Sequence, residues 1–329
     1  MKQLSLVNNQ KLTPKTMKNH FIKDMQSGDK LSNELLAVKS VRKGKTADGR
    51  DYVDLGLADK SGEIAGKIWA DSLPHCDTVV EGDVVSICAT VDEYRDKQQL
   101  KITFLQKTDS FDIADFLPTT SCDIGELWKT IDSTVSKIEN KSLRALVEHF
   151  FADESFAEKF KRAPGAERVH HAYLGGLMEH TAQMVNSAEA TLRDFPDMDK
   201  DLLLTGVLLH DIGKMDELAA THVIYRTLDG NLIGHVSIGA MTIDKAIDKI
   251  KKFPEKLRAK LLNMILGHHG RLEFGSPILP MTREAIALHY IDNLSAKANQ
   301  ADIAVRENQN GQQAFTDKIF TLDTKLYLE

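Results

Sequence analysis

The sequence predicts an α+β chain of two domains, a small N-terminal β-barrel followed by an all-α domain, and three observations lead there. The 329 residues exceed one ordinary domain and suit two. Apolar residues alternate in short runs from about Leu31 to Gln106, then recur at helical spacing almost to the end. Between the two periods, SFDIADFLPTTSCD keeps neither and contains Pro118. The expected boundaries are residues 1 to 110 for the barrel, 111 to 123 for a linker, and 124 to 329 for the helical domain with a C-terminal extension.

In the first part, turn signals such as ADGRD, ADKSGE and VEGD separate the alternating runs, as in an antiparallel unit. Val53, Leu55 and Leu57 share one face, Ile64 and Ile68 another, and Val85, Ile87, Ala89 and Val91 a third, enough for a barrel core. The opposite faces carry Tyr52, Lys67 with Trp69, and Tyr94. Interleaved with Arg42, Lys43, Lys45 and Arg50, these aromatics could stack bases while the cations hold phosphates. Closing the barrel is the competing role for each aromatic taken singly. Five short strands of this kind resemble an OB-fold, with VEGDVVSICATVDEYRDKQQLKI as its later strands.

In the second part, Leu127, Ile131 and Val135 begin one amphipathic series, and Leu143, Leu146, Val147 and Phe150 form another. Leu174, Leu177, Thr181, Met184, Val185 and Ala188 make a core-facing stripe with His180 on its flank. A helix from about Asp199 to Lys214 carries His210 and Asp211 in its last turn, with Gly213 as its stop. Asp229 and Gly230 in YRTLDGNLIGH predict the tight turn of a short hairpin. Leu261, Ile265 and Leu266 lead to His268 and His269 just before Gly270, and a later helix sets Asp292 on a row with Ala285, Leu288 and Ala296.

Composition excludes several classes. With 42% hydrophobic and 27% charged residues the chain is globular rather than disordered. No apolar run reaches the roughly 18 residues of a membrane span, and MKQLSLVNNQ lacks the core of a signal peptide, so no membrane partner and a cytoplasmic location are expected. Cys76, Cys88 and Cys122 are odd in number and far apart, which suits reduced thiols better than a disulfide framework or a thiolate metal knuckle. The formal net charge of −6 lies beyond residue 110, so nucleic acid would need a local patch rather than global attraction.

One set of residues stands out chemically: His180, His210 with Asp211, His235, His268 with His269, and Asp292. A lone histidine at a helix end ordinarily caps carbonyls, and His20, His75, His149 and His289 keep that role. The set is different, because no lysine or arginine shares the row of Asp292, and an unpaired carboxylate on a buried face is costly. A divalent cation would balance it. Nitrogen and carboxylate donors without thiolate suit Mn first, with Co, Fe, Ni or Zn as alternatives, and leave room for water.

His180, His210-Asp211 and Asp292 match in order and spacing the H…HD…D signature, and so resemble the HD-domain metal-dependent phosphohydrolases, an all-α superfamily. His235 and His268 or His269 resemble the further ligands of members that hold two metals, and Lys214 matches the lysine of an HDxGK variant. HHAYLGGLMEHT, VLLHDIGK, LIGHVSIGA and ILGHHG, preceded by an OB-like domain, look like the YhaM-type 3′-to-5′ exoribonucleases over about residues 20 to 320. The resemblance implies one or two divalent ions, single-stranded RNA as substrate with single-stranded DNA as a second one, and directionality from the 3′ end.

The residues imply a mechanism of their own. Coordination lowers the pKa of water to about 7 and so supplies a hydroxide to attack a phosphodiester. Asp211 is the candidate bridging ligand; His180, His210 and Asp292 would complete one site, and His235 with His268 or His269 the other. Lys214 is the candidate catalytic cation beside Asp211, against the plain role of a charge at a helix C-terminus. Arg271, and more weakly Arg168, are candidates to clamp phosphate, while His170 and His171 are left to position the helix that follows. A nucleotide phosphohydrolase and a non-catalytic RNA-binding module are the alternatives. The C-terminal Phe315, Ile319, Phe320, Leu322 and Leu326 would pack on their own domain or on a neighbouring subunit, which leaves a homo-oligomer open.

Overall fold

The computed structural model describes residues 18–46, 48–94, 97–221, 223–308 and 313–328. They divide into two compact units, Met1–Pro118 with Thr221–Val223, and Thr119–Ala220 with Ile224–Glu329.

The first unit is a closed barrel of five strands: β1 (Lys30–Lys45), β2 (Asp51–Asp59), β3 (Gly62–Trp69), β4 (Val84–Tyr94) and β5 (Lys97–Lys107), ordered β1-β2-β3-β5-β4. Closure follows from the length of β1. Its first half pairs with β4, its second half pairs with β2, and a register shift between Val38 and Ser40 bends it from one neighbour to the other. A parallel pairing of β3 with β5 completes the ring. Leu55, Leu57, Ile64, Ile68, Val85, Ile87, Ala89 and Val91 all point into one core, as their alternation predicts, joined by Leu100, Ile102 and Leu105. This is the OB-fold-like unit expected from the sequence.

The boundary between the units, Pro118 to Thr119, falls inside the segment expected as a linker, residues 111 to 123, and the segment is itself packed. Phe116 and Leu117 are buried, and Phe116 packs with Leu35, Ala37 and Val84, its ring edge-on to Phe111. Thr119 and Thr120 bond to Leu174, and Asp123 caps the next helix through its carboxylate. Apolar residues without a period can still be buried by irregular backbone, and periodicity cannot register them.

The second unit is helical: α1 (Ile124–Lys137), α2 (Lys141–Phe151), α3 (Glu154–Arg162), α4 (Gly176–Asp194), α5 (Lys200–Leu209), α6 (Lys214–Glu217), α7 (Leu228–Leu232), α8 (His235–Ile247), α9 (Glu255–Gly267) and α10 (Arg283–Asn308). Every residue of α5 from Leu202 to Leu209 is buried, and α1, α2, α4, α9 and α10 surround it. A helix that is apolar all round belongs at the centre of a core. No described helix is long and apolar enough to cross a membrane.

Two local expectations change. The hairpin exists, but it joins β6 (Leu218–Ala220) to β7 (Ile224–Arg226), and its turn precedes Asp229-Gly230. Asp229 and Gly230 lie in α7, because the Thr227 hydroxyl accepts from Gly230 N at 2.9 Å and starts a helical turn there. Gly213 is not a left-handed stop either. Its φ is −62°, and α5 has already ended at Leu209, after which tighter bonds from Ile212 N to Leu209 O and from Lys214 N to Asp211 O carry the chain into α6. Gly213 is needed for another reason: a Cβ there would run into the His235 carbonyl and lie 2.7 Å from Gly239 N, so α8 packs directly on its backbone.

Candidate metal centre

The C-terminal end of α5 sets His210 and Asp211 in the middle of the helical unit, both buried. From α4 comes His180, which is buried rather than on the flank of its helix; from α10 comes Asp292. His180 Nε2 lies 3.2 Å from Asp292 Oδ1, 3.3 Å from His210 Nε2 and 3.8 Å from Asp211 Oδ2. On the other side of Asp211, His235 begins α8, and His268 and His269 follow α9. Asp211 Oδ1 is 3.4 Å from His235 Nε2 and 3.6 Å from His268 Nε2, while His235 Nε2 and His269 Nε2 are 3.3 Å apart. The candidate donors thus form two groups, His180 with His210 and Asp211, and His235 with His268 and His269. Asp211 turns one oxygen toward each.

The five rings share one orientation, with Nδ1 outward and Nε2 inward. Each Nδ1 is held by an acceptor: Val207 O at 2.8 Å for His210, Ile265 O at 2.7 Å for His268, and Phe274 O at 2.8 Å for His269. Carbonyls only accept, so these Nδ1 atoms carry the proton. Glu217 Oε2 takes the Nδ1 of His235 at 2.9 Å. Ser295 Oγ lies 2.9 Å from His180 Nδ1 and donates to Gln183 Oε1 at 3.0 Å, which leaves it to accept from the ring. With the outer nitrogen anchored, all five rings turn Nε2 toward Asp211 or toward one another.

That arrangement fits a cation. Two pairs of ring nitrogens face each other at 3.3 Å, and Asp211 Oδ1 and His268 Nε2 are buried without a hydrogen-bond partner. A buried donor set of imidazole nitrogens and carboxylate oxygens with anchored outer nitrogens is the construction expected around a divalent ion. The electrostatics agree in direction. Burial opposes the charge of Asp211, yet the Lys214 ammonium beside it holds its carboxyl well below the usual range. Burial, with His268 beside it, pushes the pKa of His269 down to about 4, which keeps it neutral.

Lys214 is buried with its ammonium 2.7 Å from Asp211 Oδ2, and it opens α6 rather than closing α5. A charge at a helix C-terminus is therefore not its role. It lines a cleft of about 800 Å³ with Asp211, His235, His269, Asp292, Arg271 and Tyr290. Arg271 is exposed there, 3.7 Å from Glu273, with its guanidinium over the Phe274 ring. Gly270, at φ +77°, ends the turn after α9 as its position in the sequence suggests, and a Cβ there would collide with the His289 ring.

On the barrel, Tyr52 and Trp69 are cross-strand partners with ring centroids 5.9 Å apart. Lys67 Nζ lies 4.3 Å from the Tyr52 ring centre and 4.8 Å from that of Trp69, and pairs with Asp54 at 3.0 Å. The three form one partly exposed patch, outside the barrel core. Tyr94 ends β4, and its side chain lies outside the described residues.

Sequence reasoning missed Glu217, Ser295 and Gln183, which hold ligand-like histidines from behind. Ser295 stands three residues after Asp292, on the same helical face, and that spacing could have signalled it. Glu217 reads as one more charge in KMDE and has no such signal.

Comparison with known proteins bears on the same residues. The family model described as HD domain matches residues 177–297. Over 299 residues the chain is 33% identical to the 3′-5′ exoribonuclease YhaM of Bacillus velezensis, covering 90% of this chain and 93% of that protein. It is 34% identical over 298 residues to the 3′-5′ exoribonuclease YhaM of Bacillus subtilis, covering 90% and 93%, and 34% identical over 296 residues to that of a Geobacillus species, covering 89% and 90%.

Proposed function

The chain belongs to the YhaM family of 3′-5′ exoribonucleases, and from that premise we propose that it is a metal-dependent phosphodiesterase removing nucleotides from the 3′ end of single-stranded RNA. The observation that carries the reading is the convergence of four imidazole Nε2 atoms, those of His180, His210, His235 and His268, on the two oxygens of Asp211, with the Nε2 of His269 beside that of His235. His180, His210, Asp211 and Asp292 would hold one divalent ion, and Asp211, His235, His268 and His269 a second. Mn²⁺ is the ion we propose, since nitrogen and oxygen donors without thiolate suit it. When bound, such ions supply a nucleophilic water at neutral pH and neutralise charge on phosphoryl oxygens.

The protein's own groups do the rest. Hydrogen bonds behind each ring fix its direction, so no reorganisation is needed when substrate arrives. Lys214 keeps its proton, because Asp211 outweighs the effect of burial, and lies along the cleft where a nonbridging phosphate oxygen would gain charge. Arg271 is a second cation at the mouth of the same cleft. Tyr52, Lys67 and Trp69, with Tyr94, hold the single strand by stacking, which is tolerant of sequence. Single-stranded DNA is a second substrate on this reading, and the cytoplasm the compartment.

The test is cleavage of RNAs labelled at either end, with Mn²⁺ or EDTA, beside Asp211→Ala. Stepwise release of mononucleotides from the 3′ end, lost with EDTA and in the variant, supports the reading. Activity confined to free nucleotides would instead favour a nucleotide phosphohydrolase. Cleavage that survives both EDTA and Asp211→Ala would overturn the metal site.

A further inference from the structure

The lining of the cleft changes along α10. Near its start, Tyr290 is 66% exposed, and Phe274, from the segment after α9, is 60% exposed. Two turns beyond Asp292 the row continues through Ala296 to Gln300, at 8% and 9% exposure. Eight residues of helix span roughly 12 Å, and helical side chains lean back toward the N-terminus. Gln300 therefore leans toward Asp292 across a position occupied only by a methyl group.

Gln300 is not satisfied where it sits. Its Nε2 lies 3.4 Å from His170 Nδ1, and its Oε1 is buried without a partner. Turning the amide over exchanges the two ends and leaves the other one unmet, so one polar group of Gln300 needs a partner in either orientation. His170 lines the same cleft, and among the described residues no hydrogen bond reaches its Nε2. A buried polar atom without a partner has a cost that a ligand can remove. The missing partner must be small enough to fit over Ala296. It must also donate or accept as the amide requires, and a hydroxyl does both.

We propose that Gln300 and His170 bind the hydroxyl edge of the sugar at the 3′ end of the substrate strand, with the scissile phosphate beside Asp211 and Asp292. The inference rests on the exoribonuclease reading and adds a specificity residue to it. The terminal sugar occupies the buried end of the cleft, and the strand leaves past Tyr290 and Phe274 at the exposed end. An internal nucleotide, with a phosphate where the 3′-hydroxyl should be, does not fit a site built for hydroxyls.

The test uses the full-length protein with Mn²⁺ and 5′-labelled RNAs ending in ribose, 2′-deoxyribose, 3′-deoxyribose or 2′,3′-dideoxyribose, with release of the first nucleotide measured. For the wild type, kcat/KM is expected to fall roughly ten- to a hundredfold from the ribose end to the dideoxy end, the factor of two lost hydrogen bonds. In Gln300→Ala and Gln300→Met that ratio should shrink severalfold, chiefly through KM on the ribose end, with His170 keeping the remainder. A loss of active protein leaves the ratio unchanged, so poor folding of a variant cannot mimic the effect. Cleavage by the wild type with no dependence on the terminal hydroxyls, or an unchanged ratio in both variants, overturns the sugar site alone. Failure of the wild type to cleave any of the four RNAs overturns the exoribonuclease reading and the sugar site with it.

Discussion

Gly213→Ala tests whether the candidate metal centre depends on the close packing of α8 against the turn after α5. The added methyl would lie 2.7 Å from Gly239 N and 2.9 Å from His235 C, and closer still to the His235 carbonyl. Ordinary contact begins near 3.4 Å, so the first turn of α8 must retreat by about 1 Å. His235 is the first residue of that turn. Its Nε2 now stands 3.4 Å from Asp211 Oδ1 and 3.3 Å from His269 Nε2, and a retreat of that size takes it out of the group. The expected cost is about 1–3 kcal/mol in stability from overpacking and on the order of 10²-fold in turnover from misplacement. Metal content by mass spectrometry after equilibration with Mn²⁺ should fall by one ion per chain, with His180, His210 and Asp292 retaining theirs. A variant with full metal content and wild-type turnover would refute the packing argument.

Three further outcomes follow from other parts of the molecule. Glu217→Gln replaces the carboxylate behind His235 Nδ1 and should weaken metal affinity by about 10–100-fold, read by titration of the metal-free protein; unchanged affinity would show that Glu217 does not orient the ring. Burial lowers the pKa of His170 to about 4 and that of His171 to about 3, so the unfolded chain binds more protons between those values and the ordinary 6.5. Stability of the metal-free protein is therefore full above pH 6.5 and falls as pH drops through 6.5 toward 4, and a melting temperature flat across that window would contradict it. Trp69→Ala together with Tyr52→Ala removes the stacking patch at about 1–3 kcal/mol per base, raising KM for a long RNA roughly ten- to a hundredfold. Hydrolysis of bis(p-nitrophenyl) phosphate should not change, and an equal loss on both substrates would place the patch in the fold rather than in binding.

Much of the fold was legible because burial imposes a period. Leu55 and Leu57, and Ile64 and Ile68, alternate since one face of each strand meets the barrel core, and α5 reads as apolar because it is surrounded on every side. The packing of residues 111 to 118 was not legible, because Phe111, Phe116 and Leu117 pack through irregular backbone, where no period exists to be seen. Gly213 was misread for a related reason: a glycine required by a neighbouring backbone looks, in sequence, like a glycine that ends a helix. The Asp229-Gly230 pair carries a turn signal that Thr227 converts into the start of a helix.

The sequence by itself determined the cast of the centre: which residues, in which order, each at the end or on the buried row of an apolar helix. Tertiary structure alone decided how they act together. The direction of each imidazole depends on what accepts its Nδ1 proton, and those acceptors are the carbonyls of Val207, Ile265 and Phe274, the carboxylate of Glu217 and the hydroxyl of Ser295. Helical period cannot specify a ring's rotation about its own bonds, so the facing of both His268 and His269 toward one group appears only when α4, α5, α8, α9 and α10 are packed.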